Sequence, residues 1–288
     1  TAIPFIPVFG VGQPVGAHCR QLQFAALWRQ FPTAYPPLDN TEMSVSFASA
    51  GDIASKIDFV PSVVHSQLEK LISEIGFFKA YSINANTLSD PGKRGAYYRQ
   101  LAETGALFVG LQETRTKQRG VFEIDGFLRV ASPRCKGQYG VEILTNNEIK
   151  WTRALNKDNI SVLIEEPRLL VITVHCKGVV VLLICAHAPQ ELHAECAEWW
   201  NNTRRLCAPI CAKYRNIVFM GDVNTQIGAH GSLSVGTYGG KESNHGVMFT
   251  QFLEECKLWI PSTVNEHLLD LEWDSNCTFY CKADKKYR

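Results

Sequence analysis

Four apolar runs in this chain stop in the same way. Phe77–Ile83 stops at Asn84-Ala85-Asn86, and Ala106–Leu111 stops at Gln112-Glu113-Thr114. Val179–Ala186 stops at His187-Ala188-Pro189, and 217–220 stops at Gly221-Asp222-Val223-Asn224. A short, fully apolar run reads as a strand buried on both faces. A polar residue just past such a run emerges at the edge of the sheet, where α/β proteins tend to build sites. One ending of this kind is ordinary turn chemistry, because Gly, Asp and Asn suit turns by conformation alone. Four in one stretch of chain point to a convergent site.

The pattern between these endings sets the fold class. Helical spacing is expected over 62–76, Lys93–Thr104, Glu191–Tyr214 and His245–Cys256, with Gly76 and Gly105 as stops. Strands are expected at 55–60, Val121–Ala131, Gly140–Leu144 and from Asn276 to Cys281. Leu169–His175 and Val179–Ala186 form a hairpin around Lys177-Gly178. Strands outnumber helices, and hairpins mix with crossovers. That favours an α/β (α+β) arrangement of mixed sheets packed together with helices outside, over a doubly wound parallel sheet. Residues 1–40 are rich in Pro, Gly and aromatics and offer one short helical candidate around Cys19–Gln30. The natural division is an N-terminal segment over 1–76, without a place in the fold or a role, and a main domain over 77–288.

Composition narrows the function classes. A chain of 288 residues with net charge +1 has no global basic field, so a nucleic-acid partner needs a local basic groove or a bound metal. Ten cysteines raise the question of disulfides. Yet Cys176, Cys185, Cys256 and Cys281 sit in or beside apolar runs, where thiols act as small hydrophobes, and Cys207 and Cys211 are four apart on a helix. No Cys-x-x-Cys pair occurs, which argues against structural zinc. Reduced thiols in an intracellular protein are the expectation. No stretch has the length of a membrane span and no leader pattern opens the chain, so no membrane partner is expected. A first residue of Thr fits a fragment or a processed form.

The residue types at the four endings suggest a reaction class. Glu113 with Asp222 and asparagines offers hard oxygen ligands, which suit Mg²⁺ or Mn²⁺ better than zinc. His187 among carboxylates can act as acid, base or oxyanion partner. No Ser-His-Asp elbow, cysteine nucleophile, Walker loop or dinucleotide fingerprint is present. The combination fits metal-assisted hydrolysis of a phosphate ester. Each residue also has a plainer reading: Asn84 as a turn cap, Glu113 as a solvated loop acid, His187 as a core histidine. Tyr139 and Asn146 either line a cleft or merely shape a turn, and His175 is expected to be structural. Trp199 and Trp200 are adjacent and cannot both face the core, which leaves one for base stacking. Lys285, Lys286 and Arg288 are either a solvated turn or a phosphate contact.

The order of these endings resembles the endonuclease/exonuclease/phosphatase superfamily. Within it, residues 221–263 are similar to the endonuclease domain of non-LTR retrotransposons: Gly221-Asp222-Val223-Asn224-Thr225-Gln226-Ile227-Gly228, then Asn244-His245-Gly246, Phe252-Leu253, Leu258 and Pro261-Ser262-Thr263. The resemblance covers 77–288 and implies a four-layer α/β/β/α sandwich with the site at one edge. By motif, Asn84 matches the family's first Asn, Glu113 its metal-binding Glu and His187 its first catalytic His. Asp222 and Asn224 match the pair that handles nucleophile and phosphate. Asn86 is a second candidate metal ligand, although Asn86-Thr87 stands where the family has Asp or Asn and then Gly. The family's Ile-Asp-Tyr/Phe strand and final Ser-Asp-His do not follow Thr278-Phe279-Tyr280 before Arg288, so weak activity at best is expected of this chain. Ile57-Asp58-Phe59 resembles the missing strand, without a Ser-Asp-His after it.

The resemblance implies a Mg²⁺- or Mn²⁺-dependent DNA-nicking enzyme in the nucleus, with a reverse transcriptase domain downstream in the full-length protein. The alternatives are a phosphatase or deadenylase of the same fold, and a degenerate non-catalytic relative.

Overall fold

The structure, a computed structural model, describes residues 80–124, 126–228, 230, 232, 234–236 and 241–260, plus the backbone of four two-residue strands. The strand expected at 55–60, the helix over 62–76, Asp58 and the segment 261–279 lie outside the described residues.

Two sheets carry the domain. The first has β1 (Leu22–Gln23), β3 (Ala80–Asn84), β4 (Phe108–Gln112), β7 (Glu142–Asn146), β6 (Phe127–Ala131) and β5 (Gly120–Ile124), in that order. The second has β2 (Leu27–Trp28), β11 (Asn216–Asp222), β10 (Val179–His187), β9 (Leu169–Cys176) and β8 (Ile160–Glu166). A separate pair joins β12 (Tyr280–Cys281) to β13 (Lys286–Tyr287). Among the described residues, three α-helices complete the order: α1 (Pro91–Glu103), α2 (Cys196–Cys211) and α3 (Asn244–Cys256).

Three apolar cores separate four layers. Tyr98 and Leu101 of α1 pack on Ile83, Val109 and Leu111 of the first sheet. Phe108, Leu128 and Ile143 meet Ile172, Leu183 and Met220 between the sheets. Beyond the second sheet, Trp200 and Cys207 of α2 and Phe249 and Phe252 of α3 pack on Ile184 and Phe219. The domain is therefore an α/β/β/α sandwich of two mixed sheets. The buried positions of α2, namely Cys196, Trp200, Thr203, Cys207 and Cys211, recur at helical spacing and define its inward stripe. Gly110 is required where the sheets come closest: a Cβ there would lie 2.6 Å from the Met220 Cβ.

Several elements differ from expectation. The single strand expected over Val121–Ala131 is two strands, β5 and β6, folded back at Gly126, whose φ of 79° lies in the left-handed region. The Asp125-Gly126 pair is a hairpin signal that the continuous apolar pattern concealed. Strand β8 was not expected at all. It is the edge of the second sheet and largely exposed, so it lacks the apolar run that marks β9 and β10. Helix α2 begins at Cys196, after a turn over 191–195. The helical candidate around Cys19–Gln30 is replaced by β1 and β2, which pair with β3 and β11 at the open edge of each sheet. Backbone pairing at a sheet edge needs no side-chain period, so helical spacing did not decide this segment. All seven described cysteines are free thiols, six of them buried, as expected of small apolar fillers.

One charged pair lies in the core. Arg129 and Glu142 are both fully buried and meet through Nε–Oε2 at 2.8 Å and Nη2–Oε1 at 2.7 Å. The Tyr98 hydroxyl donates to Oε2 at 2.6 Å and the Thr116 hydroxyl to Oε1 at 2.7 Å. Burial alone would raise the Glu142 carboxyl; its bonds with Arg129, Tyr98 and Thr116 outweigh that and hold it below 4.5. A depressed carboxyl contributes stability that is present above its unfolded value and is lost as pH falls through the lower folded value. Acid unfolding should therefore show a contribution from Glu142 only below about pH 4.5. Glu142→Gln, which strands Arg129 without its partner, is expected to cost about 3–5 kcal/mol in urea unfolding at pH 7 and to flatten that acid limb.

Candidate active site

The site follows from two parallel strand pairs. β3 runs parallel to β4 in the first sheet, and β10 runs parallel to β11 in the second. Parallel neighbours end at the same edge, so Asn84 and Glu113 emerge together, and His187 lies in register with Asp222. Packing β3 against β11 across the two sheets brings the pairs into contact.

Asn84 is the hub. Its Nδ2 donates to Glu113 Oε1 at 3.0 Å and to Asp222 Oδ2 at 2.8 Å. Carboxylates only accept, so this fixes which way the amide faces. Its Oδ1 accepts the Asn86 N–H at 3.0 Å. Asp222 Oδ1 accepts the Asn224 N–H at 3.2 Å, and Asn224 Nδ2 donates to the Ala188 carbonyl at 2.8 Å. The Ala188 N–H in turn donates to the Asp222 carbonyl, locking the ends of β10 and β11 together. His187 Nε2 stands 3.5 Å from Glu113 Oε1, and its buried Nδ1 has no partner among the described residues. Five of the expected residues, Asn84, Glu113, His187, Asp222 and Asn224, are thus brought together. Asn86 differs: it is exposed and joins the group through its backbone.

The backbone is held in unfavourable conformations here. Asn86, Thr87, Glu113, Arg115, Tyr139 and Asn224 all have positive φ, between 45° and 93°. For residues with a Cβ each such conformation costs energy, and a cluster of them marks a site over-determined by its surroundings. Those surroundings are visible. The loop after Glu113 is pinned by the Thr114 N–H on the Gly140 carbonyl and the Arg115 N–H on the Tyr139 carbonyl. The loop after Asn224 is pinned by Ser243, the N-cap of α3, whose hydroxyl bonds Thr225 Oγ1 at 2.7 Å. Gly246 is needed in that first helical turn because a Cβ would strike the Gln226 carbonyl.

Electrostatics follow burial. Burial works to raise the Glu113 carboxyl, but the bonds from Asn84 and Arg115 prevail and hold it below its ordinary value. Burial lowers the His187 imidazole below its ordinary 6.5; Arg168 and Arg115 add to this, and Asp222 and Glu113 oppose it.

Two arginines and a tyrosine join the site that the strand endings did not reveal. Arg115 Nη2 donates to Glu113 Oε2 at 2.7 Å. Arg168 lies over the Tyr139 ring at 3.8 Å, and its Nη1 donates to the His187 carbonyl at 3.0 Å. The Tyr139 ring is 6.3 Å from that of His187, so Tyr139 does belong beside the site. Asn146 does not: it caps a turn at the opposite end of β7, where its Oδ1 accepts the Glu148 N–H. Trp200 is fully buried and Trp199 packs edge-on against it at 4.8 Å in the outer layer, which removes both from the site. His175 bonds Thr173 beside its hairpin, as a structural residue would.

The donors fit a hard divalent cation. Glu113 is a partly exposed carboxylate with Asp222 close behind it, joined through Asn84. No group of three or more His, Cys, Asp or Glu gathers to hold a metal among the described residues. Mg²⁺ does not need one, because it binds through one or two carboxylates and keeps waters or phosphate oxygens in its other positions. Zinc, which wants three or four close N or S ligands, does not fit. No helix among the described residues is long and apolar enough to cross a membrane.

If Asn84 separates the two carboxylates as this geometry shows, Asn84→Ala leaves Glu113 Oε1 and Asp222 Oδ2 without their donor. The expected loss is about 1–3 kcal/mol in urea unfolding, partly recovered by millimolar Mg²⁺.

No family model matches the chain, and no curated protein matches it in sequence. Solved structures do. The endonuclease domain of TRAS1, a telomere-specific non-LTR retrotransposon, is 16% identical with a TM-score of 0.37, over 56% of this chain and 64% of that one. The 3'-5' exonuclease NExo of Neisseria meningitidis is 17% identical with a TM-score of 0.40, over 60% and 69%. An AP endonuclease of Archaeoglobus fulgidus is 17% identical with a TM-score of 0.37, over 55% and 63%. The chain thus spans just under two thirds of the retrotransposon and archaeal structures.

Proposed function

We infer that this chain is a member of the endonuclease/exonuclease/phosphatase superfamily and acts as a divalent-metal-dependent phosphodiesterase on DNA. The observation that carries the reading is the hydrogen-bonded convergence of Glu113, Asn84 and Asp222, with His187 beside it, at one edge of a two-sheet sandwich. The ordered motifs that include Asp222, Asn224 and the turn around Gly246 support it.

Glu113 would hold the ion, with Asp222 behind it; Mg²⁺ or Mn²⁺, when bound, supplies neutralisation of charge on the phosphate. Asp222, buried and held by Asn84 and the Asn224 N–H, accepts a hydrogen bond from the attacking water and its proton as the bond to phosphorus forms and the opposite P–O ester bond breaks, the leaving oxygen taking its proton from solvent. Asn224 keeps one Nδ2 hydrogen beyond its bond to the Ala188 carbonyl, and that hydrogen serves a phosphate oxygen. Asn84 acts differently from a phosphate contact: both of its donor hydrogens go to carboxylates, so it positions them. His187 is held below its ordinary value and acts in its neutral form; with its Nε2 proton towards Glu113, its unpartnered Nδ1 accepts a hydrogen bond from a water. The residues proposed for catalysis are therefore His187, Asp222 and Asn224, with Asn84 as the group that positions the two carboxylates. Glu113 is the metal ligand, and Asn86 stands at the mouth as a weaker candidate.

The retrotransposon-like motifs over 221–263 favour nicking of duplex DNA in the nucleus, in company with a reverse transcriptase domain of the full-length protein. Supercoiled plasmid should be nicked slowly in Mg²⁺ and spared in EDTA. Asp222→Ala and Glu113→Gln should each lower the rate by about 10²-fold or more. Absence of nicking in Mg²⁺ and in Mn²⁺ would overturn the reading. Because the His187 imidazole is held below 6.5 and acts in its neutral form, the acid limb of the rate should fall below pH 6.5. His187→Ala should remove that limb.

A further inference from the structure

Glu113 has two carboxylate oxygens, and they are held very differently. Oε1 faces inward, to Asn84 at 3.0 Å and His187 at 3.5 Å, both of which are buried. Oε2 faces Arg115 alone, at 2.7 Å. The inner partners are fixed: Asn84 also holds Asp222, and His187 ends a central strand. The outer partner is not. The Arg115 side chain is 37% exposed, while its backbone is tied down by its N–H on Tyr139 and by Arg134, which donates to its carbonyl at 3.5 Å. The next residue, Thr116, is anchored in the Arg129–Glu142 network. With its backbone tied on both sides, the Arg115 guanidinium can leave Oε2 only by a change of rotamer towards its exposed side.

We propose that Arg115 is the resident cation of the metal-free site, and that a divalent ion binds Glu113 by displacing its guanidinium from Oε2. This rests on Glu113 being the metal ligand. The physical reason is exclusion: a guanidinium at 2.7 Å occupies the outward lone pairs of Oε2 that the ion needs, and two cations on one oxygen repel. The alternative approach, through Oε1, would set the ion against the buried Asn84 amide and require its bond to Glu113 to break. Arg115 thus keeps the acidic pair neutralised between metal-loaded states and sets how tightly the ion is held.

Mn²⁺ titration followed by the electron paramagnetic resonance of the free ion separates the possibilities, since it needs no turnover. Arg115→Ala should bind Mn²⁺ about fivefold more tightly than the unaltered chain, the size expected for loss of one partly exposed ion pair. Arg115→Gly, which tolerates the positive φ at this position, should do the same if Ala strains the loop. Lys117→Ala removes an equal charge from an exposed side chain on the same loop, and should change affinity less than twofold. Glu113→Gln should abolish tight binding in every background. Unchanged or weaker binding by the Arg115 variants, with Glu113→Gln still abolishing it, overturns the exchange and leaves the metal reading standing. Equal tightening by Lys117→Ala makes the effect a general field and also overturns the exchange. Binding that is insensitive to Glu113→Gln, or absent throughout, overturns the metal reading and the exchange with it.

Discussion

Face-to-face packing of the two sheets is the constraint from which the site follows. Neither sheet holds a complete set of residues. The first offers an asparagine and a glutamate, the second a histidine, an aspartate and another asparagine. They meet because each sheet contains one parallel pair, and because β3 and β11 come close enough for Asn84 to reach Asp222 at 2.8 Å. That closeness needs Gly110, beneath which Met220 lies, and an apolar interior on both inner faces. A carboxylate as buried as Asp222 is costly unless it is hydrogen-bonded, so the packing and the Asn84 bridge depend on each other.

The buried Arg129–Glu142 pair ties this arrangement to the rest of the domain. Ion pairs in a core rarely add net stability, yet this one joins two strands to α1 through Tyr98 and to the Glu113 loop through Thr116. The loop that carries Glu113 and Arg115 is consequently held from below by charge and from the side by Tyr139 and Gly140. The proposed exchange at Glu113 therefore needs only a rotamer change of Arg115, without rearrangement of the backbone.

Much of the site was legible in the chain, and the limits of that reading are physical. Asn84, Glu113, His187 and Asp222 could be picked out because an apolar run that stops at a polar residue has only one way to sit in a buried sheet. Asn86 joins the group through its backbone N–H, which a motif position does not foretell. Arg115 and Arg168 were missed because an arginine in a loop has no local signature, and its partner is chosen by whatever the fold brings near. Arg129 and Glu142 were invisible for a related reason: they sit on neighbouring strands whose register the sequence does not print. Strand β8 escaped because an exposed edge carries no apolar run, and the β5–β6 hairpin because two buried strands joined by a tight turn look like one.

The sequence by itself therefore determined which strands are buried, where each one ends and with which side chain, because these follow from apolar length and from turn chemistry. It also supplied the donor set on which the proposed chemistry rests, hard oxygens with one histidine. Only the tertiary structure decided that the four endings share one edge, since that depends on strand direction and on sheet-to-sheet contact. It alone placed Asn84 between the carboxylates as a positioning group. It also gave Glu113 an arginine for its outer partner, because that pairing is made across space by loops whose course no local pattern records.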